Sequence, residues 1–461
     1  MKASLKKCLN TERLRAFFMS DIYPVIICFT VAVGSISGLE FYFNFLHTAL
    51  ACGAFWISKS IRPLMISFLT YVMQVSVKNS PFFPSYSDYY FSGWRLVLII
   101  IIACAIIASL VAFVIKNRVY SKVSFKNTPC LLSLLLLSAA FLTNGLFSGR
   151  WKLGNIVFAL ANIAVYLLIF ILFYHGFDDD ERSEGISKYF AYISMLVSFV
   201  ISAEIVAHFI TADNVFIDGS INKVAMALGW GIWNLVGVSL SVLIPVIFYG
   251  MHVNKYPWLY FAAATLTYVM ALLTMSRNAL VFATLSYGAC VIISCFRGKN
   301  KRAFRIITAA GIVFVIILGV LLWDKIEELL RDYFERGFSD NGRYALWRAA
   351  FDNFLDAPIF GMGFYGFNVE TDVFGPLAKQ AHNTVLQLLS ATGIVGFSAY
   401  AYYRFSTVKP IFKRPSFMKS MMAISIAVLL FGSLLDNFIF NIYPMFHYTM
   451  SLVIIHKSDR E

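Results

Sequence analysis

The sequence predicts an all-α polytopic membrane protein with about 12–14 transmembrane helices and one large helical extracytoplasmic loop. Hydrophobic residues make up 59% of the 461 and charged residues only 14%, with a mean hydropathy of +0.72. Soluble domains carry about 25% charged residues. Apolar runs near the length of a membrane span recur along the whole chain, and clusters of basic residues fall between alternate runs.

A helix needs about 20 apolar residues to cross a bilayer, and fewer when its neighbours cover it. Candidate spans lie near 21–38, 40–57, 61–77, 94–115, 129–148, 153–174, 189–210, 229–249, 257–275, 279–296, 305–323, 382–403, 418–435 and 438–456. The amino-terminal stretch MKASLKKCLNTERLR has the charge of a signal n-region, and small residues follow at Gly34–Gly38. An uncleaved first span fits better, because its apolar run is one of many.

Basic residues in cytoplasmic loops fix orientation. With the amino terminus in the cytoplasm, Lys59 and Arg62 share that side with Lys116, Arg118, Lys122, Lys126, the group from Arg297 to Arg305, and the group from Arg404 to Lys419. Both termini are then cytoplasmic. The segments Pro81–Gly93, Thr211–Leu228 and Asp324–Ala381 are extracytoplasmic. The division is therefore residues 1–323 as amino-terminal helices, 324–381 as the outer loop, and 382–461 as carboxy-terminal helices of one integrated membrane domain.

The net charge of +13 reflects these loops. No basic stretch forms a folded module with interleaved aromatics, so nucleic acid is not a partner. The seven cysteines show no paired spacing for a metal or a disulfide framework. The acidic run Asp178–Glu181 reads as a solvated loop.

The outer loop is the main polar interruption. Asp340 and Asn341 are candidate caps for a helix from Arg343 to Leu355, with Tyr344, Trp347, Phe351 and Phe354 recurring at helical spacing. Such a helix lies on the membrane surface with its aromatics down. Pro358 follows it, and then Gly361, Gly363 and Gly366 spell G-x-G-x-x-G. This is not a dinucleotide fingerprint, which requires a preceding strand and a following helix. The glycines read instead as a tight backbone reversal close to a ligand.

His382 and Asn383 stand where the chain re-enters the membrane. A histidine there titrates near neutrality and can take a proton from a hydroxyl, while the helix start favours a nearby anion. Arg277 interrupts two apolar runs at the same side, and Asp436 divides the last two. Ionisable groups at membrane depth are costly and face a partner or a polar cavity. The chain has no G-x-x-x-x-G-K-[ST] phosphate loop, no H-E-x-x-H, and no outer acidic cluster at metal-ligand spacing. What remains suits metal-independent neutralisation of a pyrophosphate and activation of a hydroxyl.

The series TMSRNAL, GRYALWRAAFDNFLDAPIFGMGF, AHNTVLQLLSATGIVGF and GSLLDN resembles the O-antigen ligase and O-antigen polymerase superfamily of bacterial surface-polysaccharide enzymes, over roughly Gly229 to the carboxy terminus. The resemblance implies a glycosyltransferase of the bacterial inner membrane whose site faces the periplasm or cell exterior. Its donor is a glycan on a polyprenyl pyrophosphate such as undecaprenyl pyrophosphate. Its acceptor is a glycan or a lipid-linked unit, its surroundings are the lipid bilayer, and a chain-length regulator is a further partner. No cofactor is implied. Arg277, Arg343 and His382 match the functionally critical arginines and histidine of such ligases, and Asp436 matches a late aspartate. Asn383, Asp436, Arg348, Gly361 and Gly363 are the candidate substrate-binding residues.

The leading function is polymerisation of a surface polysaccharide by inverting glycosyl transfer. The near alternative is a ligase that moves the finished glycan to lipid A core or another acceptor. A lipid-linked oligosaccharide transporter is the alternative of another class, since buried charges also mark transport paths.

Overall fold

The computed structural model describes residues 2–75, 93–211, 216–217, 220–221, 227–228, 231–298, 301–321, 323–324, 327, 342–364, 369–371, 375–378 and 380–461. The caps expected at Asp340 and Asn341, the third glycine Gly366, and most of the Pro81–Gly93 and Thr211–Leu228 loops lie outside the described residues.

The described chain is helical, apart from three minimal antiparallel hairpins that pair Phe216 with Ile221, Ala227 with Ile232 and Val369 with Ala378. In chain order the helices are α1 Lys2–Met19, α2 Ile22–Ser37, α3 Glu40–Ile57, α4 Leu64–Val75, α5 Gly93–Lys116, α6 Leu131–Phe147 and α7 Leu153–His175, the last with a π turn at Ala164–Leu168. They continue as α8 Ser183–Thr211, α9 Trp233–Val253, α10 Pro257–Leu273, α11 Arg277–Arg297, α12 Lys301–Leu321, α13 Arg343–Asp356, α14 Thr384–Val408, α15 Phe417–Gly432 and α16 Ile442–Ser458.

A helix stands at each of the fourteen expected spans. Among the described residues, six are long and apolar enough to cross a membrane alone, or seven if the pair Thr11–Met19 and Ile22–Ser37, bent by 67°, counts as one span. Leu131–Phe147, Pro257–Leu273 and Phe417–Gly432 are apolar but shorter. The polar contacts between helices show how the chain alternates. Numbering the crossings from α2 and leaving out α13, Ser276 with Asn234, Asn234 with Asp436, His382 with Asp436, and Gly149 with Gly361 all join helix ends reached after an odd number of crossings. Arg62 with Glu181, Lys122 with Asp179, His175 with Thr128, His252 with Ser294, and Lys419 with Asp459 all join ends reached after an even number. The two sets lie at opposite ends of the bundle. The acidic run is thus partly tied down: Asp179 pairs with Lys122, and Glu181 accepts from Ser60 beside Arg62.

The centre of the bundle is α9, buried at every position from Val236 to His252 and packed against α8, α10, α11 and α15. By contrast α5 is mostly exposed, with Val97, Ile100, Ile101, Ile107 and Ile115 outward. An all-apolar outer face suits lipid and not water.

One expectation needs correction. The span at 382–403 is not one regular helix, because α14 breaks at Gly393 (φ 62°, ψ −165°). Backbone groups freed inside an apolar body must find partners. The segment after α13, expected to be wholly outside, supplies them. Met362 N–H donates to Ser390 O and Gly363 N–H to Ala391 O, while Ile394 N–H donates to Pro358 O and Val395 N–H to Ile359 O. The Asn144 amide of α6 also donates to Phe360 O and Ala391 O.

On α13 the buried residues are Leu346, Ala350 and Asn353. Tyr344 and Phe351 are exposed and Trp347 and Phe354 half-exposed, so the aromatic stripe faces away from the bundle. The small residues allow close approach to α14, and the aromatics are left for the membrane surface.

The clamp yields a test. A Cβ on Gly363, whose φ is +88°, falls 2.3 Å from Asn155 Nδ2, so Gly363→Ala is strained both in its backbone and against α7. The expected cost is roughly 1–3 kcal/mol, read as a thermal-unfolding midpoint a few degrees below wild type in detergent. An unchanged midpoint would show that the 357–364 segment does not hold the break.

Candidate active site

Among the helices that begin with a residue in the left-handed backbone region at or next to the cap are α11, α13 and α14. Met275 (φ 53°) precedes the cap of α11, His382 (φ 48°) precedes the cap of α14, and Gly342 (φ 75°) is itself the cap of α13. A non-glycine residue there is costly and persists only where its surroundings fix it. Ser276 caps α11 by accepting from Ala279 N–H, and Asn383 caps α14 by accepting from Val385 and Leu386 N–H. Arg277 and Arg343 are the first helical residues after two of these starts, and none of the three helices has an acid in its first turn. The helix start already carries partial positive charge, so an arginine placed there adds to it. The arrangement favours an anion.

His382 is fixed from several sides. Its Nδ1 lies 2.9 Å from Asp436 Oδ1. The preceding residue, Ala381, donates its N–H to Gln387 Oε1 at 2.7 Å, and Gln387 also accepts from Asn437 Nδ2. Thr384 N–H donates to Ser433 O, and Asn383 Nδ2 donates to Leu434 O. The start of α14 and the turn after α15 are thereby stitched together. Asp436 is largely buried and His382 about a quarter exposed, so the ring is supported behind and open in front. With Nδ1–H donated to the carboxylate, Nε2 is the ring's acceptor.

The network extends to α11. Asn234, at the start of α9, directs Nδ2 toward Asp436 Oδ2 at 3.4 Å and accepts from Ser276 Oγ at 2.8 Å. Ser276 is the residue before Arg277. His382, Asp436 and the helix start that carries Arg277 therefore belong to one hydrogen-bonded array.

The other expected residues stand further off or have other work. Arg343 begins α13 one turn before Leu346, which clusters with Ala350 and Ala381, so α13 starts against the residue next to His382. Arg348 is exposed on the same helix. Both polar atoms of Asn383 are engaged within the protein, in the cap and to Leu434. Gly361 and Gly363 meet the backbone at Ala391 and the Asn155 side chain, roughly 12 Å along α14 from His382. Among the described residues, no group of three or more His, Cys, Asp or Glu side chains could hold a metal ion.

Asn234, Ser276, Gln387 and Asn437 were not singled out in the sequence. Their one visible signal is a polar side chain at the end of an apolar run, and serines, asparagines and glutamines are too common there to be selected without the fold.

Helices crossing between two polar faces, with a supported His–Asp pair and arginine-led helix starts on one of them, define a multi-pass membrane protein with a candidate site at one face. Residues 261–401 match the family model described as O-Antigen ligase, which supports the resemblance of this part of the chain to the O-antigen ligase and polymerase superfamily. The matched segment contains Arg277, Arg343 and His382 and stops before Asp436. No curated protein matches the chain.

Gln387 offers a local test of the scaffold. Gln387→Leu leaves the Ala381 N–H and the Asn437 amide without their acceptor, at an expected cost of about 1–3 kcal/mol. Hydrogen exchange should show faster exchange over residues 381–387. Exchange at the wild-type rate would mean that another group holds the segment.

Proposed function

We propose that this protein polymerises a surface polysaccharide, transferring a glycan from a polyprenyl pyrophosphate onto the hydroxyl of a new lipid-linked unit. The observation that carries the proposal is the contact between His382 Nδ1 and Asp436 Oδ1 at 2.9 Å, in an array that reaches the helix start bearing Arg277.

In this reading Arg277 and Arg343 bind the donor pyrophosphate and neutralise it as leaving group. Each charge-assisted contact is worth about 1.5–3 kcal/mol. His382 Nε2 takes the proton from the acceptor hydroxyl as its oxygen bonds to the anomeric carbon, a contribution on the order of 10²- to 10⁴-fold. The bond from that carbon to the pyrophosphate oxygen breaks in the same step. Asp436 holds the ring tautomer and stabilises the imidazolium that forms. One direct displacement inverts the anomeric centre and asks for no metal. Arg348 lies at the edge of the site, where its exposed side chain can reach the glycan. The site faces the periplasm in this reading, with both termini in the cytoplasm.

A ligase is the second reading, because the matching family model carries that description. The two share donor and chemistry and differ in acceptor. Surface-polysaccharide gels separate them in cells lacking the gene and complemented with wild type or His382→Ala. A polymerase gives a single repeat unit on its normal acceptor in the null and in His382→Ala. A ligase gives long chains held on the lipid carrier. If His382→Ala restores wild-type glycan while the null has a defect, the catalytic role fails and a transporter takes its place. A further expectation is that Arg277→Lys keeps the charge but loses much of the activity, because a point charge cannot reproduce a two-pronged contact to phosphate oxygens. Full activity in Arg277→Lys would remove the bidentate contact from the mechanism.

A further inference from the structure

We infer that Asn234 is a positioning residue for the reaction, coupling the proton acceptor to the helix that carries the donor-binding arginine. The inference rests on the glycosyl-transfer reading of the His382 site. Asn234 lies outside the segment that matches the family model, on the buried central helix α9, and it is the group that joins the two halves of the site. Its Oδ1 accepts from Ser276 Oγ at 2.8 Å, and its Nδ2 points at Asp436 Oδ2 at 3.4 Å. Ser276 in turn caps α11 through Ala279 N–H, which sets where Arg277 starts. Asp436 uses its other oxygen for His382 Nδ1 and for the N–H of Asn437.

The chemistry follows from this division of the carboxylate. An amide donor on Oδ2 draws charge from the carboxylate and limits how strongly Asp436 stabilises a protonated His382. The same amide fixes the carboxylate plane, and so the direction of the imidazole. A primary amide meets both demands, since it accepts from Ser276 and donates to Asp436 at once. An aspartate in its place accepts from Ser276 but adds a second negative charge beside the pair. Among the described residues, the charged groups on the elements around His382 are Asp436 on the turn after α15, Arg277 and Arg297 at the two ends of α11, Arg343, Arg348, Asp352 and Asp356 on α13, and Arg404 on α14.

The test uses the purified full chain in detergent and needs no donor. Diethyl pyrocarbonate acylates unprotonated imidazole, so the rate at His382, followed by peptide mass spectrometry across pH, reports the ring's protonation. In Asn234→Asp the curve should move to higher pH by about one unit, because the added carboxylate favours the imidazolium. In Asn234→Ala it should move the same way by less. Wild-type elution and thermal midpoint show that a variant is folded. If Asn234→Asp fails to fold, Asn234→Ala alone decides. A folded variant whose curve overlays wild type overturns the inference. The gels with His382→Ala judge the underlying reading separately: long glycan from those cells would end the glycosyl-transfer role of His382, whatever the reaction curve of the Asn234 variants shows.

Discussion

Polar backbone removed from water must be paired, and in this protein that constraint acts most strongly at the break in α14. A helix interrupted at Gly393 presents unpaired carbonyl and amide groups in the middle of an apolar bundle. The 357–364 segment answers them from one side and the Asn144 amide from another. The repair has a geometric consequence. It draws the chain after α13 into the bundle, seats α13 against the first turns of α14, and so brings the start of α13 beside Ala381 and His382. A Cβ on Gly393 would fall 2.4 Å from Ile359 O, and one on Gly361 2.4 Å from the Ala391 carbonyl carbon. The glycines of this region are thus required by contact between two backbones, which a reading centred on a ligand does not capture.

The site follows a second form of the same rule. His382 holds a left-handed conformation, and every neighbour that could release it is itself bonded: Ala381 to Gln387, Asn383 to Leu434, Thr384 to Ser433. Strain at one residue is maintained because its surroundings over-determine it. The reward is direction. A histidine just before a helix cap, backed by a largely buried carboxylate, keeps a fixed ring with one side held by the protein and about a quarter of the side chain exposed.

The fold class was readable because the span signal is additive. About twenty apolar residues decide a helix whatever their order, and basic clusters decide its direction. A helix stands at each of the fourteen segments, and among the described residues six are long and apolar enough to cross a membrane alone. The breaks were not readable, since Gly393 in SATGIVGF looks like any small residue in a membrane helix, and its meaning depends on a segment about thirty residues earlier. For α13 the spacing of Tyr344, Trp347, Phe351 and Phe354 was real, and the buried face opposite it is that of Leu346, Ala350 and Asn353, packed against α14. Of the site, His382 and Asp436 stood out as ionisable groups at the ends of apolar runs, and the structure brings them into contact. Asn234 and Gln387 did not stand out, because an uncharged amide at a helix end costs too little to be conspicuous.

The contacts also bear on how the amino-terminal half takes part. The family match covers residues 261–401, yet the segment leading to the site is held by residues well outside it. Gly149 N–H donates to Gly361 O, Asn144 reaches Phe360 O, and Asn155, itself tied to Ser148 and the Arg150 carbonyl, packs against Gly363. Asn234 and Asp436 complete the site from α9 and from the turn after α15. The matched segment therefore supplies the arginines and the histidine, and the rest of the bundle sets their distances. The constraint on the surrounding helices is that they keep donors and acceptors at the few backbone positions where the matched segment leaves its own groups open.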